Sequence, residues 1–270
     1  MKKKKKVRQK KVKTVIVLSL VVIVFIAAIV FFFLSDEKVM SNFKISDETE
    51  KINNAKKYGD DIVGWLRVEG TNIDLPLVGA GNDDVDVSKG DYDFAWTNSF
   101  PDENSNRPAF ISHNIRNVSS NPIIDDDTMT RFEQLMSFIY LDFIKDNQFI
   151  EYTNSEGETS LYRIYAVALL EDDQNSSYSD TYTEAEQKRY LKKVKRESMY
   201  DIDVDVNSDD LLLTLFTCTR FYGASTNYSF RVDARKLRDD EEKMYAKVEP
   251  NKNYDKIKER MEEGVNDEKV

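Results

Sequence analysis

Cys218 is the only cysteine and His113 the only histidine of a 270-residue chain. Each closes an apolar run of strand length: Leu211-Leu-Leu-Thr-Leu-Phe-Thr-Cys218 and Ala109-Phe-Ile-Ser-His113. A strand delivers a side chain to a fixed place, and its end is where a reactive group meets solvent. A lone Cys and a lone His at two strand ends form a candidate nucleophile and acid/base pair. Past Cys218, after the polar loop Thr219 to Asn227, a second strand-like run begins at Tyr228 and carries Arg231. A single cysteine makes no internal disulfide; it pairs with another chain, sits inert in the core, or reacts.

Other chemistries fit less well. Asp201-Ile-Asp-Val-Asp-Val-Asn207 has the acid spacing of a calcium loop, but Val206 replaces the turn glycine and Leu212 stands at the twelfth position. Its alternation of acids and aliphatics suits a strand leading into the Cys218 strand. One His and one Cys do not supply a zinc site without several carboxylates, so no metal is assigned. Asn117-Val-Ser, Asn175-Ser-Ser and Asn227-Tyr-Ser match the short glycosylation pattern, which carries little weight alone.

The elements that must position these groups are mostly short strands. Ile62 to Val68 and Ile73 to Val78 read as strands around a Gly70-Thr-Asn turn, Pro76 favouring an edge. A loop from Gly79 to Arg107, with aromatics at Tyr92, Phe94, Trp96 and Phe100, precedes the His113 strand, and another polar loop follows to Thr128. Thr130 with Glu133 suggests a short helix through Met136. Phe149 to Tyr152 and Leu161 to Leu170 read as strands. Thr183 with Glu186 forms a capping box for a helix through about Met199, with Tyr190, Leu191 and Val194 on one face. Two or three helices among many strands predict a mostly β domain with an open or closed barrel.

The ends differ from this body. Residues 1–13 carry nine Lys/Arg and no acid, leaving 30 basic against 49 acidic residues over the rest. An acidic body argues against nucleic acid. Thr14 to Leu34 is uncharged and almost wholly apolar; at about 1.5 Å per residue it spans roughly 31 Å, a bilayer core. No small-residue cleavage site follows, so it reads as an uncleaved transmembrane helix, with the Lys block cytoplasmic and everything after residue 34 outside. The reading by domains is therefore a cytoplasmic segment (1–13), an anchor (14–34), a helical linker (35–58) capped by Asp47 and Glu50, a catalytic domain (59–237), and a charged, exposed tail (238–270), partly helical at most.

Here the sequence resembles a known family, the sortases, and among them class B. The resemblance rests on Thr214-Leu-Phe-Thr-Cys218, which matches the family's Thr-Leu-x-Thr-Cys signature, on Arg231 one strand later, and on His113 at an earlier strand end. Val63-Gly-Trp-Leu-Arg-Val-Glu-Gly-Thr-Asn-Ile-Asp-Leu-Pro-Leu-Val78 looks like the opening of the sortase barrel, and the helix before the Cys218 strand looks like class B. It covers roughly Ser46 to Leu237. Ser112 departs from the family's Gly before the His.

The resemblance implies a membrane-bound cysteine transpeptidase that anchors surface proteins of a Gram-positive cell. Cys218 would attack a Thr carbonyl in a C-terminal sorting signal of a secreted protein, of an Asn-Pro-x-Thr-x type. His113 would carry the protons and Arg231 would steady the oxyanion. Thr217, beside the cysteine, is expected to contact substrate. The acceptor would be an amine of a peptidoglycan precursor or a pilin lysine, and no cofactor is needed. A membrane-anchored cysteine peptidase and a catalytically idle extracellular binding module are the alternatives. Alternation along the last strand predicts Phe230, Val232 and Ala234 facing the core and Arg231, Asp233 and Arg235 facing a substrate groove. Arg231 lies nearer the thiol than Arg235, and Arg220 sits in the connecting loop.

Overall fold

A computed structural model describes residues 39–46, 49–56, 61–79, 95–97, 101–114, 131–171, 179–219, 221–222 and 228–264. The expected cytoplasmic segment and anchor, Asp47, Tyr92, Phe94, Phe100 and Arg220 lie outside these residues. Among the described residues no helix is long and apolar enough to cross a membrane.

Helix α1 (Thr49–Ala55) is followed by strands β1 (Ile62–Val68), β2 (Asp74–Val78), β3 (Ala95–Trp96) and β4 (Ala109–Ser112). A 3-10 helix (Arg131–Ile139) runs into α2 (Leu141–Asp146), then β5 (Phe149–Asn154), β6 (Thr159–Glu171), α3 (Glu184–Glu197), β7 (Tyr200–Ile202), β8 (Leu212–Thr219), β9 (Tyr228–Lys236), β10 (Val248–Pro250) and α4 (Lys252–Gly264). Eight strands pair in the order β1-β2-β3-β4-β8-β9-β6-β5, and β5 pairs back onto β1, closing a barrel. The protein is thus mostly β with helices on its periphery.

Period two decides what fills the barrel. Leu213 and Leu215 of β8, and Phe230, Val232 and Ala234 of β9, join Leu66, Leu75, Leu77, Phe110 and Ile164 in one buried cluster. The β1–β2 register shifts between Ile62 and Gly64, and on its other side Gly64 lies close to β5: an added Cβ would sit 2.3 Å from the Thr153 carbonyl oxygen, so no other residue fits there without backbone movement. Helix α1 packs on the barrel, with Ile52 and Ala55 buried against Ile62, Trp65 and Val78.

Several expectations need correction. Pro76 is on no edge strand: β2 is paired on both sides, with Pro76 set against Trp65 of β1 and Leu77 and Val78 paired with β3 among the described residues. The helix expected through Met136 is a 3-10 helix that continues to Ile139. The segment 201–207 is no strand leading into β8; its first residues form β7, which pairs with β10 in a separate two-stranded sheet.

The largest difference lies past residue 237. Far from an exposed tail, this segment adds β10 and α4 and sends Val248 and Ile257 into the core. Glu69, at the turn between β1 and β2, explains much of the attachment. Its buried carboxylate accepts hydrogen bonds from Ser41 Oγ (2.6 Å), Tyr245 Oη (2.7 Å) and the backbone N–H groups of Gln148 (2.8 Å) and Phe149 (3.1 Å). A buried carboxylate needs such donors, and here they come from both ends of the described chain and from the start of β5. Gln148 adds two more bonds, donating to the Ala246 carbonyl and accepting from its N–H.

Candidate active site

Cys218 is the one outward position of β8 that is exposed, between Thr217 and Thr219, which are 1% and 2% exposed. The antiparallel register with β9 sets Thr214 against Asp233, Phe216 against Arg231 and Cys218 against Ser229. Paired residues share a face, so Thr214, Phe216, Cys218, Ser229, Arg231 and Asp233 all lie on the outer face. Arg231 is the diagonal neighbour of Cys218, at about 7–8 Å between backbones by sheet geometry.

His113 reaches the same place from β4, which pairs parallel with β8: Phe110 with Leu215, Ile111 with Phe216, Ser112 with Thr217. His113 directly follows Ser112 at the end of β4, as Cys218 directly follows its partner Thr217 on β8, so both leave the last paired position of the ladder. His113 is half-buried, and burial, which disfavours the charged ring, lowers its pKa below the ordinary 6.5. Its neutral form therefore prevails at neutral pH and has a lone pair for a proton.

Thr217 faces the other way. Its side chain is buried, and its hydroxyl donates to the Ser112 carbonyl at 2.9 Å. Thr217, expected from the sequence to contact substrate, forms in the structure a tie between β8 and β4, one residue before both Cys218 and His113. The cause is period two: neighbours on a strand point to opposite faces.

The outer face is not an open groove at Arg231. This side chain is 3% exposed and is held by two carboxylates: Nε donates to Asp233 Oδ2 at 2.7 Å and Nη2 to Glu197 Oε2 at 2.9 Å. Burial opposes the guanidinium charge, but Asp233, Tyr190 and Glu197 outweigh it and raise its pKa above the ordinary value. Arg235 is also buried, yet it faces Leu212 near the far end of β8 and is engaged by Glu241 and the Asp205 carbonyl. It lies roughly 20 Å along the strand from the thiol. The structure thus gathers Cys218, His113 and Arg231 at one place and leaves Arg235 out of it.

The sequence reading gives Asp233 only a place on the outer face and does not name Glu197; neither is marked there as a partner of Arg231. A signal existed for both: Asp233 is two residues from Arg231 on one strand, hence on the same face, and Glu197 is seven residues from Tyr190, hence on the same helix face. Among the described residues no group of three or more His, Cys, Asp or Glu is placed to hold a metal.

No family model matches the chain. Sortase B of Staphylococcus aureus is 24% identical over 178 residues, which span 63% of this chain and 68% of that protein. Sortase B of Listeria monocytogenes is 26% identical over 185 residues, 63% of this chain and 67% of the relative. Among solved structures, sortase B of Clostridium perfringens matches 69% of this chain and 99% of its own at 27% identity, with a TM-score of 0.55. A Staphylococcus aureus sortase B–substrate complex matches 71% and 86% at 20% identity with a TM-score of 0.53, a likeness of fold.

Proposed function

The chain is a sortase-family cysteine transpeptidase, most like class B, and from that premise we propose that it is membrane-anchored and joins secreted proteins to a cell-wall amine. The observation that carries this reading is the convergence of three strands: an exposed Cys218 on β8, His113 one step beyond β4, and Arg231 diagonal to the thiol on β9.

In the first half-reaction the neutral imidazole of His113 takes the thiol proton, and the sulfur of Cys218 attacks the carbonyl carbon of a Thr in the sorting signal. The C–N bond breaks, His113 returns the proton to the leaving amine, and a thioacyl enzyme remains. In the second, an acceptor amine attacks the thioester carbonyl, His113 takes its proton, and the Cys218 thiolate leaves. Arg231 stays charged throughout and donates to the oxygen that becomes negative in each step. The signal is of the Asn-Pro-x-Thr-x type, and the acceptor is an amine of a peptidoglycan precursor.

Intact mass after incubation with peptides of that pattern tests this. A mass gain equal to the acyl fragment is expected, absent from Cys218→Ala and discharged faster when amines are supplied. No gain with any such peptide would overturn the reading, and hydrolysis undiminished by amines would replace it with a peptidase. The Lys-rich start and the Thr14–Leu34 run support an orientation with the catalytic body outside the cell. External protease on intact cells should then digest it from about Ser35 onward; protection of the C-terminal end would reverse that orientation.

A further inference from the structure

Arg231 takes its direction from a helix as well as from its own strand. Its two anchors come from different elements: Asp233 from β9 and Glu197 from the last turn of α3. We propose that Glu197 and Asp233 are positioning residues that aim the Arg231 guanidinium, with Tyr190 and Thr214 holding Asp233 in turn, so that α3 is part of the active site. This rests on the reading of Arg231 as the oxyanion donor.

The geometry is specific. An arginine side chain is long and has many rotamers, and a donor that must meet a developing charge works only if it is aimed beforehand. Carboxylates on Nε and Nη2, two nitrogens of one planar group, set both the plane and the direction of the fork. Asp233 is itself fully engaged: beside the bond from Arg231, its Oδ1 accepts from Tyr190 Oη at 2.5 Å and from Thr214 Oγ1 at 3.0 Å. Burial and the Asp233 charge push the Tyr190 phenol pKa up, so it remains a donor. Thr214 opens the run that ends at Cys218, and this bond gives that threonine a task.

Arg107 lies between the rings of Tyr182 (3.6 Å) and Tyr190 (3.4 Å), so a second guanidinium packs on the ring whose hydroxyl donates to Asp233. The other end of α3 is tied to the segment that leads into β4 and on to His113. Asn106 donates to the Tyr182 carbonyl and accepts from its N–H, and the Arg107 N–H donates to the Asp180 carbonyl, just ahead of the capping box at Thr183. One helix therefore links the approach to His113 with the anchor of Arg231.

The test is a double-mutant cycle on the rate of thioacyl formation, using the Asn-Pro-x-Thr-x peptide that gives the largest mass gain on wild type. Glu197→Ala should lower that rate about tenfold with KM little changed, and Glu197→Gln, which keeps an acceptor, should recover much of the loss. In an Arg231→Ala background Glu197→Ala should change the rate by no more than about twofold, because its effect passes through the arginine. Tyr190→Phe, which keeps the ring under Arg107, should behave in the same way. Melting temperature and the rate of Cys218 modification by a methanethiosulfonate serve to show that fold and thiol are intact. An unchanged or raised rate in both single variants overturns the proposal. So does an equal loss with and without Arg231, which would mark general damage to the helix. A wild type that forms no thioacyl enzyme removes the underlying reading as well, an outcome distinct from an active wild type with additive effects.

Discussion

Cys218 and Arg231 are diagonal neighbours on one face of the barrel, and the fold gives them opposite surroundings: the thiol is exposed and the guanidinium 3% exposed. A nucleophile must be reached by substrate. A charge-stabilising donor gains strength when water is kept away from it.

Arg231→Ala should therefore have two consequences. Thioacyl formation should fall by roughly two or more orders of magnitude, the scale of losing an oxyanion donor. Stability should also fall, by about 3–5 kcal/mol, because Asp233 is left as an uncompensated buried charge and Glu197, 19% exposed, loses its partner. Arg231→Lys should recover little activity, since an ammonium has no fork to bridge two carboxylates. Arg235→Ala should destabilise by unpairing Glu241 yet leave the rate per folded molecule near wild type. Single-turnover rates and urea melts on the three variants check this; a larger rate defect at Arg235 than at Arg231 would reverse the assignment.

The pH dependence follows from His113. Burial sets its folded pKa below the ordinary 6.5. Between those two values the unfolded chain binds the proton and the folded one does not, so this group's contribution to stability is intact above about pH 6.5 and is lost as pH falls through the folded pKa. As the chain has one histidine, the imidazole resonance in proton NMR reports it without ambiguity. Its midpoint should lie below 6.5, and the acid limb of the thioacylation rate should track it. A midpoint at or above 6.5 would contradict the burial argument.

Thr217→Val keeps the inward side chain nearly isosteric and deletes its bond to the Ser112 carbonyl. The expected cost is about 1 kcal/mol of stability. Transfer should also slow, because β4 no longer locks His113 against Cys218, while modification of the thiol by a small reagent proceeds at the wild-type rate. If instead the variant raised KM alone, Thr217 would touch substrate after all.

Truncation after Leu237 should unfold the barrel domain. It strips Tyr245 from Glu69, Ala246 from Gln148, and Val248 and Ile257 from the core. Burying each of the two aliphatic side chains stabilises by roughly 1.5–3 kcal/mol, a large share of a domain's net stability. Circular dichroism of the truncated protein should show loss of cooperative melting. A folded, active truncation would return this segment to the status of a tail.

Much of the site is written in short-range pattern. Alternation alone separates Phe230, Val232 and Ala234 from Arg231, Asp233 and Arg235, and the inner set does fill the core. Thr183 and Glu186 announce the start of α3, and both bonds of the capping box are present. The Cys218 run and the His113 run were legible as strands because a pleat repeats every two residues whatever surrounds it. What the sequence could not decide is who stands beside whom. The parallel pairing of β4 with β8 joins segments 105 residues apart, and it is this pairing that turns Thr217 into a tie to Ser112. Whether a polar face meets water or a helix depends on distant partners, so the groove expected at Arg231 proved to be roofed by Glu197 and Tyr190. The C-terminal segment misled for the same reason: Val248 and Ile257 are scattered among charges and form no stripe, and only the docking of β10 on β7 and of Tyr245 on Glu69 gives them a core to enter. Periodicity and capping are local and survive in the chain as letters, whereas burial is a property of the assembled surface and exists only once the barrel has closed.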